Sequence, residues 1–196
     1  MTLPIAVCVS GRGSDLQALI DAIEQHRLDA RIVLVASSRA GVPALERAAK
    51  ARVPSCVFPV TKATRSEAQA TMGKAIGVSG ARLVVLAGYD RILVDAFWEA
   101  LGDVPVINIH PSLLPAFGGL NGMKVHEAVI AAGAAESGVT VHRAYRGKLD
   151  EGEILVQRRV PVSPRDTPET LADRVLAAEH EALVDAVGLF VAGATS

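Results

Sequence analysis

Asn108 and His110 sit two residues apart in the run INIHPSLLP, where a short apolar stretch ends in prolines. On a strand, residues two apart share a face, so the amide and the imidazole project together from the strand end. Side by side they suit a developing oxyanion: the amide donates a hydrogen bond, and the imidazole donates or moves a proton. The plainer alternative is a core histidine beside a turn asparagine. None of His26, His126, His142 and His180 lies three or four residues from His110, and Cys8 and Cys56 are far apart, so no zinc motif is visible and no metal is expected. A carboxylate near the imidazole would favour its charged form. The segment RGKLDEG at 146–152 offers Asp150, which taken alone reads as an ordinary turn aspartate.

A second group lies near the N-terminus, where Ser10, Gly11, Arg12, Gly13, Ser14 and Asp15 join an apolar run to a helical pattern. Glycines permit a sharp turn, and a helix start presents unpaired N–H groups with the positive end of the dipole, which favours a phosphate. The motif lacks the third glycine of a dinucleotide fingerprint and the lysine of a P-loop, so it fits a single phosphate better than a pyrophosphate. The alternative is a tight turn in which Ser14 caps the helix with Gln17 as its capping-box partner.

Five short apolar runs, at 4–9, 31–36, 54–60, 82–87 and 105–109, are bounded by turn residues and separated by helical patterns. The first helix is the clearest, with Leu16, Leu19, Ile20 and Ile23 on one face. Strand and helix in alternation predict a parallel sheet with right-handed crossovers. Ser10, Gly88 and His110 then gather beyond the carboxyl ends of the strands, where such sheets bind ligands. After Ile109 a proline- and glycine-rich loop leads to a helix near 123–133 and to two strand-like runs, 138–145 and 153–162. A connection of about seven residues is too short for a crossover helix, so this pair is expected to be antiparallel. Thr167 and Pro168 open a last helix running towards Phe190, with threonine as cap and proline in the first turn.

The chain has 196 residues with 20 Lys and Arg against 21 Asp and Glu, a formal charge of −1, which argues against a general nucleic-acid binder. Half the residues are apolar, yet no window reaches the roughly 18 uncharged apolar residues of a membrane span. The N-terminus lacks a basic region followed by a cleavage site, so a cytoplasmic chain without a disulfide framework is expected. Seven aromatics leave an aliphatic core, which suits strands buried on both faces. No repeat or linker divides the sequence, and one domain over 1–196 is expected.

The strings SGRGSDLQAL, LAGYDRIL, INIHPSLLPAFGG, HEAVIAAG, SGVTVH, LDEGEILVQ and AAEHEAL, in this order, closely resemble the glycinamide ribonucleotide formyltransferase family, folate-dependent enzymes of purine biosynthesis. The likeness covers nearly the whole chain. INIHPSLLP with the downstream Asp-x-Gly marks the formyltransferase superfamily, and the N-terminal G-x-G-S-x-L-Q marks the glycinamide ribonucleotide branch. The resemblance implies a Rossmann-like α/β formyltransferase fold, with a mostly parallel central sheet of about seven strands, a C-terminal antiparallel pair and helices on both faces. It implies Asn108, His110 and Asp150 as the catalytic trio. Contacts to the ribonucleotide are implied at Gly11, Arg12, Gly13, Ser14, Asp15 and Glu179, the last to the substrate amine. Folate contacts are implied at Arg65, Tyr89, Asp90, Arg91, Ile92 and Leu93. The implied formyl donor is 10-formyltetrahydrofolate. The implied partners are small molecules only, with no nucleic acid or membrane, and the chain is a monomer or homodimer.

Some positions depart from the resembled family. Asp15 stands where relatives usually have Asn, which puts a carboxylate close to the expected phosphate. Asp90 stands at a usually apolar place in the expected pterin wall, where burial without a partner would be costly, so it is expected to be exposed or paired with Arg91. The segment 118–126 is longer than in some relatives, and one residue is inserted between His142 and Asp150. A methionyl-tRNA formyltransferase or a formyltetrahydrofolate deformylase would share the trio but add a further domain, for which 196 residues leave no room. A nucleotide-binding module is the remaining alternative. Against it, the second run ends in Ala36, Ser37 and Ser38 rather than in an acidic residue for a ribose.

Overall fold

The computed structural model describes residues 2–193. Its elements follow in the order β1 (Leu3–Val9), α1 (Ser14–Glu24), β2 (Ala30–Ser37), α2 (Pro43–Lys50), β3 (Ser55–Val57), α3 (Arg65–Val78), β4 (Leu83–Leu86), α4 (Asp95–Leu101), β5 (Val106–His110), α5 (Met123–Ala131), β6 (Glu136–Arg143), β7 (Ile154–Pro161) and α6 (Pro168–Val191). The strands form one sheet in the order β3-β2-β1-β4-β5-β6-β7. β1 to β5 are parallel, while β6 runs antiparallel to both β5 and β7.

Alternation along the buried strands divides the core between the two faces of the sheet. Ile5, Val7 and Val9 of β1 point to a layer closed by Leu16 and Leu19 of α1 and Leu183 and Ala186 of α6. Ala6 and Cys8 point to the opposite layer, closed by Met72 and Ile76 of α3 and Phe97 and Leu101 of α4. Val125, Val129, Val160, Leu171 and Val175 form a third, smaller cluster between α5, β7 and α6.

The strands and helices lie where the sequence places them, with three adjustments. The run 54–60 is a strand only over Ser55–Val57, because it sits at the sheet edge, where Ser55 and Cys56 are exposed. Ser14 is the first residue of α1 rather than its cap; Gly13 caps it in the left-handed conformation with no side-chain bond. Gln17, the expected capping-box partner, instead donates to Asp21 and accepts from Arg47. α6 does start in a full capping box, in which Thr167 and Thr170 bond each other's backbone.

Candidate active site

The antiparallel pairing of β5 and β6 sets Asn108 directly opposite His142 and His110 opposite Thr140. Asn108 and His110 share a face of β5, as their spacing requires. His142 has its Nδ1 2.9 Å from the Arg143 carbonyl, and a carbonyl only accepts, so Nδ1 carries a proton. The remaining Nε2 lies 3.3 Å from the Asn108 amide nitrogen and 3.5 Å from Asp150 Oδ1. In the neutral ring it accepts from the amide. The other carboxylate oxygen, Oδ2, lies 3.4 Å from His110 Nδ1 and accepts from the Gly119 N–H at 2.9 Å. One carboxylate thus stands between two buried imidazoles.

The β6–β7 connection holds Asp150 there. Asp150 itself is left-handed, at φ 56°. A Cβ on Gly152 would fall 1.6 Å from the Arg143 carbonyl oxygen, so only glycine lets the chain return this close to β6. The loop after β5 is tied down by Thr140, whose hydroxyl donates to Ser112 O and accepts from Leu114 N–H, and by Gln157, which donates to Leu114 O. This brings the Phe117 carbonyl 3.2 Å from His110 Nε2.

Acceptors therefore face both nitrogens of His110, a geometry that suits imidazolium. Burial opposes it and prevails over Asp150 and the Phe117 carbonyl, so the His110 pKa lies below its ordinary value. Asp150 does favour the charged ring, as expected, but desolvation favours the neutral one until a further negative charge arrives. Burial alone would raise the Asp150 carboxyl; a hydrogen bond from His142 Nε2, which that ring can give only when charged, the Gly119 N–H and His110 outweigh it and hold it below its ordinary value. Among the described residues no group of three or more His, Cys, Asp and Glu side chains is arranged to hold a metal ion.

Gly13, at φ 71°, turns the chain into α1, and a Cβ there would meet Ala44 Cβ at 2.6 Å. The turn is fastened to α2: Gly11 O accepts from Ala44 N–H, and Arg12 O accepts from Arg47 Nε at 2.9 Å. Asp15 is buried in the first turn of α1, against α6, which carries Glu179 and His180. Burial and then the charge of Asp15 push the Glu179 carboxyl up to about 8, with Arg12 opposing.

The third group surrounds the loop after β4. Buried Gln69 donates to Ile92 O at 3.1 Å and accepts from Val94 N–H at 2.7 Å, and Arg65 donates to the same Ile92 carbonyl at 2.9 Å. Tyr89 is buried and its phenol is pushed up, chiefly by that burial. The Asp90 N–H donates to Ser10 Oγ, joining the ends of β4 and β1. Asp90 is half exposed and paired, as expected, but its short partner is Arg39, at the end of β2, with Arg91 Nε at 3.5 Å. The Ile92 side chain is exposed, and Leu93 is partly buried against the core.

The structure thus joins Asn108, His110 and Asp150; it sets Asp15 3.7 Å from His180, the neighbour of Glu179 on α6; and it gathers Arg65 with 89–93. The residues without a role in the sequence reading are His142, His180, Gln69 and Gly119. His142 alone had a usable signal, being two residues beyond Thr140 on a strand face, but its approach to Asn108 depends on an inter-strand register.

A family described as formyl transferase matches residues 3–187. A trifunctional purine biosynthetic protein adenosine-3 from Drosophila pseudoobscura pseudoobscura is 44% identical over 97% of this chain. The chain spans 14% of that relative, and 14–18% of the length of the trifunctional relatives it matches. A phosphoribosylglycinamide formyltransferase from Haemophilus influenzae is 36% identical, with 90% of this chain and 82% of the relative covered. The crystal structure of glycinamide ribonucleotide transformylase 1 from Symbiobacterium toebii superposes with a TM-score of 0.89 at 37% identity, covering 98% of this chain and 89% of the other. With the family match running through all three side-chain groups and all but the last four residues of α6, the chain belongs to the formyl transferase family, among the phosphoribosylglycinamide formyltransferases.

Proposed function

We propose that this chain, as one domain over 1–196, transfers the formyl group of 10-formyltetrahydrofolate to the amino group of glycinamide ribonucleotide, yielding the N-formyl ribonucleotide and tetrahydrofolate. The observation that carries this reading is the buried Asn108–His142–Asp150–His110 constellation, an oxyanion donor and a proton carrier sharing one carboxylate. In the attack, the amine nitrogen bonds to the formyl carbon and the carbonyl π pair moves onto oxygen. Asn108 donates to that oxyanion, its amide held in the donating sense by His142. The nitrogen that attacked becomes cationic and loses a proton towards His110, which Asp150 and the new oxyanion now favour as imidazolium. As the oxyanion collapses, the bond to the folate nitrogen breaks and that nitrogen takes up the proton. Charge on His110 is thereby least favoured at rest and most favoured when the intermediate forms, which is the differential stabilisation a catalyst needs.

The ribonucleotide phosphate meets the first-turn N–H groups of α1, and the backbone at Gly11–Ser14 supplies the approach. Arg12 and Asp15 line the same end, and Glu179 of α6 is the contact for the substrate amine. The folate meets the 89–93 loop, where exposed Ile92 and partly buried Leu93 offer apolar surface. Arg65 stands beside it with a buried Nε that has no hydrogen-bond partner. Near-zero net charge accords with small-molecule partners rather than nucleic acid, and no described helix is long and apolar enough to cross a membrane. We place the reaction in the cytoplasm, without a metal.

The test is to incubate the protein with both substrates and follow tetrahydrofolate beside a control without acceptor. Formation should depend on the ribonucleotide and survive a chelator. Formate release at a comparable rate without acceptor identifies a deformylase instead.

A further inference from the structure

Gln69 is a fully buried polar side chain on α3 that takes no part in the chemistry at Asn108, His110 and Asp150. Its amide meets the loop between β4 and α4 at three points. Nε2 donates to Ile92 O at 3.1 Å and reaches the Tyr89 hydroxyl at 3.5 Å, while Oε1 accepts from Val94 N–H at 2.7 Å. A carbonyl on one side and an N–H on the other fix the sense of the amide, since a flipped group would set like against like. The rest of this face of α3 is apolar: Met72 and Ile76 continue it, and Phe97 and Leu101 of α4 close the same layer. An amide buried beside such a layer is costly unless bonded, and its three partners all belong to one loop.

The loop has little else to hold it. Among the described residues, no N–H from 90 to 94 donates to a backbone carbonyl. The Asp90 N–H goes to Ser10 Oγ and the Val94 N–H to Gln69. Backbone bonding resumes only where Phe97 N–H reaches Val94 O, at the start of α4. Arg65, four residues before Gln69 and so on the same side of α3, donates to the same Ile92 carbonyl at 2.9 Å. Both lone pairs of that carbonyl are thus taken by α3. Packing adds less restraint, because the Ile92 side chain is exposed and Leu93 is only partly buried.

We propose that Gln69 is the positioning residue of this loop: from the interior it clamps the backbone at Ile92 and Val94, and so sets 91–93 in the shape that receives 10-formyltetrahydrofolate before the donor arrives. The proposal rests on the folate reading above. Gln69 itself touches no reacting atom. Without the clamp the loop populates other shapes, and the apparent affinity for the donor falls by the fraction of time spent in the competent one. The donor then has to order the loop as it binds. Once it is bound, the loop is back in place, so the deficit falls on donor binding rather than on the chemical step. The ribonucleotide turn is fastened separately to α2, through Ala44 and Arg47, and keeps its shape.

The experiment compares the two KM values in Gln69→Met, which keeps the length of the side chain but removes its donor and its acceptor, so that α3 retains its seat on the core. With ribonucleotide saturating, the KM for 10-formyltetrahydrofolate should rise about tenfold, as for a loop that is competent about a tenth of the time. The kcat should stay within about threefold and the KM for the ribonucleotide should not change. Gln69→Glu keeps the acceptor for Val94 N–H and should recover part of the loss. Hydrogen exchange followed by NMR needs no variant: in the wild-type chain the Val94 amide should exchange about tenfold more slowly than those of Ile92 and Leu93, once corrected for intrinsic rates. An unchanged folate KM in folded Gln69→Met, or an equal rise in both KM values, overturns the inference, and turnover by the wild type leaves the folate reading standing. A Val94 amide that exchanges as fast as its neighbours overturns it too, whether or not the variant folds. A wild-type chain that makes no product from this donor overturns the folate reading and the inference together.

Discussion

Asn108 stabilises an oxyanion only if its amide nitrogen, not its oxygen, faces the reacting centre, and His142 holds that choice through the lone pair on Nε2. Asn108→Ala should lower kcat by on the order of 10²-fold with little change in either KM, since the bond strengthens only as the oxyanion forms. Asp150→Asn removes a charge that raises the His110 pKa. The limb of the pH–rate profile governed by His110 should therefore move to lower pH as kcat falls. His142→Leu should cost on the order of tenfold in kcat at unchanged KM, through a misplaced amide, and His142→Gln should recover part of it. Equal loss for the leucine and glutamine variants in folded protein would deny the positioning role. Asn108 and His110 were legible in the sequence because a strand has a period of two. His142 was not, because its place opposite Asn108 is a property of β6 pairing antiparallel to β5, and nothing local encodes that register.

The parallel half of the sheet was legible because each strand is a short, doubly buried apolar run between helical patterns. Its edge was not: β3 has one covered neighbour and keeps three residues in the ladder. The turn into α1 shows how little of a glycine's reason lies in its neighbours. Sequence favours a phosphate loop there, whereas the structure adds that Gly13 is pressed against Ala44 of α2. Gly13→Val must abandon the left-handed conformation and displace α2 as well. It should raise the KM for the ribonucleotide far more than the KM for the folate, measured with each substrate varied in turn. Equal loss for both would mean that the turn, rather than the phosphate, is what glycine serves.

The charge balance of the molecule conceals groups whose proton loss is pushed to higher pH. Glu179 has its folded pKa raised from 4.5 to about 8, so its ionised form is the less favoured one in the folded state. The unfolded chain releases this proton first. Stability from this group is full below pH 4.5 and is lost as pH rises through about 8. Thermal melts should show Glu179→Gln gaining on the wild type between neutral pH and pH 9. Burial pushes the Cys8 thiol up to about 12, while Cys56 is exposed on β3. A thiol reagent at mildly alkaline pH should therefore label one cysteine in the folded protein and both after denaturation.

α6, 24 residues long and spanning about 36 Å, packs on α1, β6 and β7 together. The last helix of this chain thus closes the groove beside its first. A nascent chain that has emerged as far as β5 carries Asn108 and His110, but neither the carboxylate of Asp150 nor the α6 side of the ribonucleotide end. Such a fragment has all the parallel strands but only part of the proposed formyl-transfer site. On the proposed reading, oxyanion donor, proton carrier and carboxylate come together only when the chain beyond β6 has returned to β5.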